Sequence, residues 1–237
     1  MKCKIEMILQ NVIQEAKKIL GKEVYIFENH NMALPIWGKF ADFLRSPVNL
    51  ITFDTHTDTQ PALSLYATNN MISERTVQNI LQNPKLHFGK EFSREHLFSF
   101  SKNKVGNADH IETAMALGHL SSYIVVHREN EFTIDSNDCE DLNTENRKFF
   151  HRENIDWSVL YNIESPFVLD FDMDYFHNIS DMDNVFKKQI APLIRRAEVI
   201  TIALESYFFE FHKEDDSIFT SDLALHELKE IIKYALE

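Results

Sequence analysis

The chain has 237 residues, 44% of them apolar, and a formal net charge of −13. That size suits one sizeable core, so residues 1–237 read as a single domain. The acidic balance argues against nucleic acid and anionic membrane surfaces as partners, and no apolar run approaches the roughly 20 residues of a membrane span. The opening MKCKIEMILQ lacks the apolar stretch and cleavage site of a secretory signal, and Cys3 and Cys139 cannot make a disulfide framework. A cytoplasmic protein is the expectation. Neither GxGxxG nor GxxxxGK[ST] occurs, which disfavours a dinucleotide fold or a P-loop.

Residues 4–20 place Ile5, Ile8, Leu9, Val12, Ile13, Ala16, Ile19 and Leu20 at helical spacing, with Gly21 as a C-cap. Val24–Phe27 reads as a short buried strand. Met32–Leu44 reads as a helix, since Pro35 is tolerated in a first turn. Val48–Phe53 is a second strand, 73–82 and 108–119 are helices, and Tyr123–Val126 is a third strand. Residues 128–154 are polar and read as an irregular excursion with a short strand at Phe132–Ile134. Phe167–Phe171, Val185–Ala197, Val199–Leu204 and Leu223–Leu236 follow as strand, helix, strand and helix. Strands apolar on both faces and alternating with helices imply a parallel sheet covered on both sides. The expected fold class is α/β, a three-layer α/β/α domain with a mainly parallel sheet.

In such open sheets ligands gather at the carboxyl ends of the strands. Four strands end there in ligating residues: Val24–Phe27 in Glu28, Asn29 and His30; Val48–Phe53 in Asp54, His56 and Asp58; Phe167–Leu169 in Asp170, Asp172 and Asp174; Val199–Leu204 in Glu205. Residues two apart in an extended chain share a face, so each cluster projects together. Carboxylates with imidazole suit a divalent ion such as Mn²⁺ or Zn²⁺. Singly these signals are weaker. His30 alone suits a satisfied histidine, Glu205 alone an ion pair, and the aspartate triplet alone a Mg²⁺ site of haloacid-dehalogenase type. Taken together they point to a dinuclear metal site.

The combination resembles the arginase, agmatinase and histone-deacetylase superfamily. DTHTD at 54–58 is similar to DAHxD, ENHN at 28–31 to GGDHS with His30 as the metal-binding histidine, and DFDMDYF at 170–176 to SFDxD. In the last motif the pair is Asp172 with Asp174, or Asp170 with Asp172. ALES at 203–206 resembles the strand whose glutamate holds a guanidinium group, and Glu205 matches that residue. The chain looks closest to a short arginase-like branch that includes peptide arginases. The first motif lacks its GGD, and no histidine matches the proton shuttle that follows DAHxD in arginases.

The resemblance implies an arginase-like fold and two Mn²⁺ ions, although such ligands also admit Zn²⁺, Fe²⁺ or Co²⁺. His30, Asp54, Asp58 and a later aspartate would hold one ion; His56, Asp54 and the later pair would hold the other. Asp58 would accept a proton and Glu205 would hold the guanidinium. Apart from the resemblance, His110 at a helix start reads either as a cap or surface residue or as a proton shuttle. The substrate would be an arginine-containing peptide or a small guanidino compound, the products urea and ornithine. An oligomer stays open. Two alternatives stand beside this reading: a single-zinc amide hydrolase of deacetylase type, and a non-catalytic metal-stabilised interaction domain. The aromatic run Tyr207, Phe208, Phe209 and Phe211 reads as packing, with a peptide groove as the alternative.

Overall fold

The computed structural model describes residues 13–92, 96–128, 143–214 and 218–237. In chain order its main elements are β1 (Ile13–Ile19), β2 (Lys22–Phe27), α1 (Ala33–Leu44), β3 (Val48–Asp54), α2 (Ser64–Asn70), α3 (Glu74–Gln82), α4 (Pro84–Phe88), α5 (Leu97–Lys104), α6 (His110–Ala116), β4 (Leu120–His127), β5 (Arg147–His151), α7 (Trp157–Tyr161), β6 (Phe167–Asp172), α8 (Asn184–Arg196), β7 (Val199–Ala203), α9 (Ser206–His212) and α10 (Ser221–Leu236). The strands form one sheet in the order β1-β2-β7-β6-β3-β4-β5. Among the described residues, β1–β2 is the only antiparallel pair of strands in the sheet. The mainly parallel, three-layer α/β/α expectation therefore holds.

Alternation along the strands sends side chains to two cores. Val24, Ile51, Phe53, Ile124, Leu169, Phe171 and Ile200 pack under α8 and α10. Tyr25, Phe27, Leu50, Tyr123, Val125, Val168 and Val199 pack under α1 and α3 to α6, around Trp37, Ile80 and Phe100. Asp170 and Asp172 have the parity of Val168, and Thr52 and Asp54 that of Leu50. These polar side chains therefore face the α1 side of the sheet.

Several elements differ from expectation. Within 4–20, residues 13–19 form a strand rather than a helix; the remainder lies outside the described residues. Leu20 and Gly21 take positive φ of 45° and 93° and turn β1 back onto β2. Glu15, Lys17 and Ile19 are less exposed than Ala16 and Lys18, the two-residue rhythm of a strand. Phe132–Ile134 also falls outside the described residues. The excursion contributes β5 at the sheet edge, and α6 is shorter than 108–119. Helices α2, α4, α5, α7 and α9 were not expected. All are at most eight residues long, too short for an apolar period to stand out.

Candidate metal centre

The carboxyl ends of β2, β3, β6 and β7 meet at one point. His30 begins a 3₁₀ turn after β2, Asp54 ends β3, Asp172 ends β6 and Asp174 lies in the 3₁₀ turn that follows. His30 is fully buried and engaged at both ring nitrogens. Its Nδ1 lies 3.3 Å from Asp54 Oδ2, 3.1 Å from Asp58 Oδ2 and 3.1 Å from Asp172 Oδ2. Its Nε2 lies 2.7 Å from Asp170 Oδ2.

Three aspartates share a pattern. Asp54 Oδ1 accepts the His56 N–H at 2.8 Å, Asp172 Oδ1 the Asp174 N–H at 3.3 Å, and Asp174 Oδ1 the Thr55 N–H at 3.3 Å. In each case the backbone fixes one oxygen. Asp54 Oδ2 and Asp174 Oδ2 are buried without a hydrogen-bond partner. Buried polar atoms are ordinarily satisfied, so this convergence fits a cation. One ligand atom from each of His30, Asp54 and Asp172 lies within 4.8 Å of the others, and the same holds for His30, Asp58 and His110 and for His56, Asp174 and His212.

Asp170 belongs to none of these groups. The sheet register sets it beside Thr52 on β3 and Thr201 on β7. The Thr52 hydroxyl donates to its Oδ2 at 2.8 Å and the Thr201 hydroxyl donates to Oδ1. Asp170 thus fixes the ring of His30 from behind, the arrangement that orients metal-binding histidines. An Nε2–H donated to Asp170 leaves the Nδ1 lone pair facing the cluster.

Glu205 stands at the start of α9 in a left-handed conformation, φ 39°. Its Oε1 accepts the His30 N–H at 2.9 Å and a hydrogen bond from Asn107 Nδ2. Asn107 Oδ1 accepts the Asn31 N–H at 3.1 Å, so one side chain ties both walls of the site. Sequence reasoning missed Asn107 and also His212, whose ring lies 5.1 Å from that of His56. His110 is fully buried, with Nδ1 at 3.7 Å from Asp58 Oδ2 and its ring 4.3 Å from that of His30. Every sequence-predicted site residue therefore lies at this edge, Asp170 one step behind the rest.

Crowded charge perturbs the titrations. Burial, reinforced by the Asp54 charge, pushes Asp58 up to about 8. Burial, with Asp54 and Asp174 adding to it, pushes Glu205 to about 7. Burial would lower His56, but Asp174, Asp54 and Asp58 outweigh it and hold the ring at about 9. Burial and the neighbouring His30 charge keep His110 well below its usual range, hence neutral. Close carboxylates share protons unless cations displace them.

The aromatic run on α9 departs from expectation. Phe209 is buried, whereas Tyr207, Phe208 and Phe211 are exposed. Phe208 reaches His56, with ring centroids 6.2 Å apart.

No known protein family's sequence description matches the chain, and no curated protein matches it in sequence. Two solved structures are similar in shape. The proclavaminate amidino hydrolase of Streptomyces clavuligerus has a TM-score of 0.48 at 11% identity, over 90% of this chain and 64% of that one. A hypothetical agmatinase from Burkholderia thailandensis has a TM-score of 0.49 at 13% identity, over 99% of this chain and 63% of that one. The chain therefore spans less than two thirds of either neighbour. No helix among the described residues is long and apolar enough to cross a membrane.

Proposed function

We propose that the protein is a divalent-metal-dependent hydrolase of a guanidino group, acting on arginine within a peptide to give urea and an ornithine side chain. The observation that carries this reading is the placement of Glu205. Its carboxylate is fixed through Oε1 to the backbone of His30, beside the converging oxygens of Asp54, Asp58, Asp172 and Asp174. The motif resemblance supports the same reading.

His30, Asp54, Asp58 and Asp172 would hold one cation; His56, Asp54 and Asp174 would hold a second. Asp170 is the orienting partner of His30 rather than a ligand. Mn²⁺ is the proposed metal. Bound divalent cations supply Lewis-acid activation of water at neutral pH. Glu205 meets the planar guanidinium through charge-assisted hydrogen bonds at Oε2, since Oε1 already accepts from the His30 N–H and Asn107 Nδ2. That contact turns the group toward the cluster and favours the ionised form of Glu205. Asp58 takes a proton from water as the guanidinium carbon is attacked and delivers one to the leaving amine. His110, beside Asp58, is the proposed shuttle, its Nδ1 also meeting the Asn107 carbonyl at 2.5 Å. The peptide reading draws on the exposed Tyr207, Phe208 and Phe211 beside His56, a surface suited to side chains flanking an arginine.

The test is mass spectrometry of an arginine-containing peptide incubated with the metal-loaded protein, with free arginine and agmatine alongside. Conversion lightens the peptide by one CH₂N₂ unit per arginine and releases urea. Urea from free arginine or agmatine alone would keep the reaction and discard the peptide; an unchanged peptide and no urea from any of them would discard the reaction. Glu205→Gln is expected to raise KM for the peptide more than it lowers kcat, because it removes the charge that meets the guanidinium in the bound state.

A further inference from the structure

Three histidines that the motifs do not pair come together on the open side of the centre. His212 is the last residue of α9, a helix anchored at both ends. Phe209 is buried beneath it and its N–H donates to the Glu205 carbonyl at 2.9 Å. Past the helix, the Glu214 N–H donates to the His177 carbonyl at 2.8 Å. These contacts lay the His212 ring against His177, centroids 5.8 Å apart and nearly parallel, and edge-on to His56 at 5.1 Å. Asp174 Oδ2 faces the same space. It is 3.5 Å from His56 Nδ1, and its residue is 1% exposed, yet it has no hydrogen-bond partner. One ligand atom from each of His56, Asp174 and His212 lies within 4.8 Å of the others.

We infer that His212 is a ligand of the second cation, joining His56, Asp54 and Asp174 in a position that carries two imidazoles. The inference rests on the metal-centre reading above and goes beyond it, because it makes the two positions chemically unlike. The His30, Asp54 and Asp172 position is rich in oxygen and suits Mn²⁺ or Mg²⁺. A position with two imidazoles suits Zn²⁺, Co²⁺ or Fe²⁺. The centre is then built to take two different metals, and the α9 helix that follows Glu205 carries part of it.

The experiment is a Co²⁺ titration of the metal-stripped full chain, followed by visible absorption and closed by elemental analysis, with His212→Ala in parallel. Wild type is expected to bind two Co²⁺ per chain. In the variant the first stays tight and the second weakens at least about 100-fold, beyond what loss of an outer hydrogen-bond partner gives. The absorption of the second Co²⁺ should shift or vanish. His212→Asn serves the same purpose if the alanine variant does not fold. Two tight Co²⁺ with an unchanged spectrum in the variant would overturn the role of His212 and leave the rest of the centre standing. No Co²⁺ bound by wild type would overturn both. In mixed loading, wild type should take Zn²⁺ and Mn²⁺ together, whereas Mn²⁺ filling both positions in the presence of Zn²⁺ would contradict the asymmetry.

Discussion

Among single residues, the carboxylate on which the proposed mechanism most depends is Asp58. It has a left-handed backbone, φ 50°, a conformation that Asn also tolerates. Asp58→Asn is therefore expected to fold normally and to lose turnover by at least about 100-fold, the lower range of a general acid–base contribution; full activity in a urea assay would remove Asp58 from the mechanism. Asp170→Asn tests a different role. Thr52 and Thr201 donate to different oxygens, so only one of them still meets an acceptor in the amide, and His30 loses its anionic partner. Metal affinity should drop about 10–100-fold with secondary structure unchanged, the usual effect of losing a carboxylate behind a metal-binding histidine. Asp54, His56 and Asp58 were legible in the sequence because they alternate at the end of an apolar strand. The role of Asp170 was not, since it depends on a register that places Thr52 and Thr201 on either side. Asn107 and His212 reach the site only through tertiary packing, and no local spacing announces either.

Strands and helices were readable where their apolar period is long or their ends are marked. Helix α8 was read from its apolar period, and the structure adds its cap: Asp183 accepts the N–H groups of Val185 and Phe186 at 2.8 Å each. Asp183→Ala should cost about 1 kcal/mol of stability, seen as a lower melting temperature with metal binding unaltered. An unchanged melting temperature would mean that the cap contributes little. Strand β1 was misread because its apolar residues fit a helical period as well as they fit a strand. Its pairing with β2 and the turn at Leu20 and Gly21 decide the matter, and neither is a local property. The short helices α2, α4, α5, α7 and α9 have the same origin. They fill space between strands, and packing rather than propensity supports them.

The whole molecule concentrates unfavourable charge at one edge of the sheet, which makes its stability depend on pH and metal together. Asp58 near 8 and Glu205 near 7 stand above the roughly 4 of carboxyls in an unfolded chain. His56 near 9 stands above its ordinary 6.5. Without metal, each group binds more protons folded than unfolded across this interval, so stability falls as pH rises from about 5 to 9. Cations replace those protons, and their stabilising effect should grow over the same interval. Thermal unfolding with and without Mn²⁺ at about pH 6 and about pH 8 would show this, the metal-induced rise being larger at the higher pH. A metal-free protein that becomes more stable toward pH 8 would contradict it.

The strand ends are proposed to form a dinuclear centre that hydrolyses a guanidino group. The most direct test is metal content and urea release measured on the same Mn²⁺-loaded sample given an arginine-containing peptide. Two cations per chain with urea produced is the expected result. A sample that binds no metal, or that binds two cations and releases no urea from any guanidino compound, would contradict the claim.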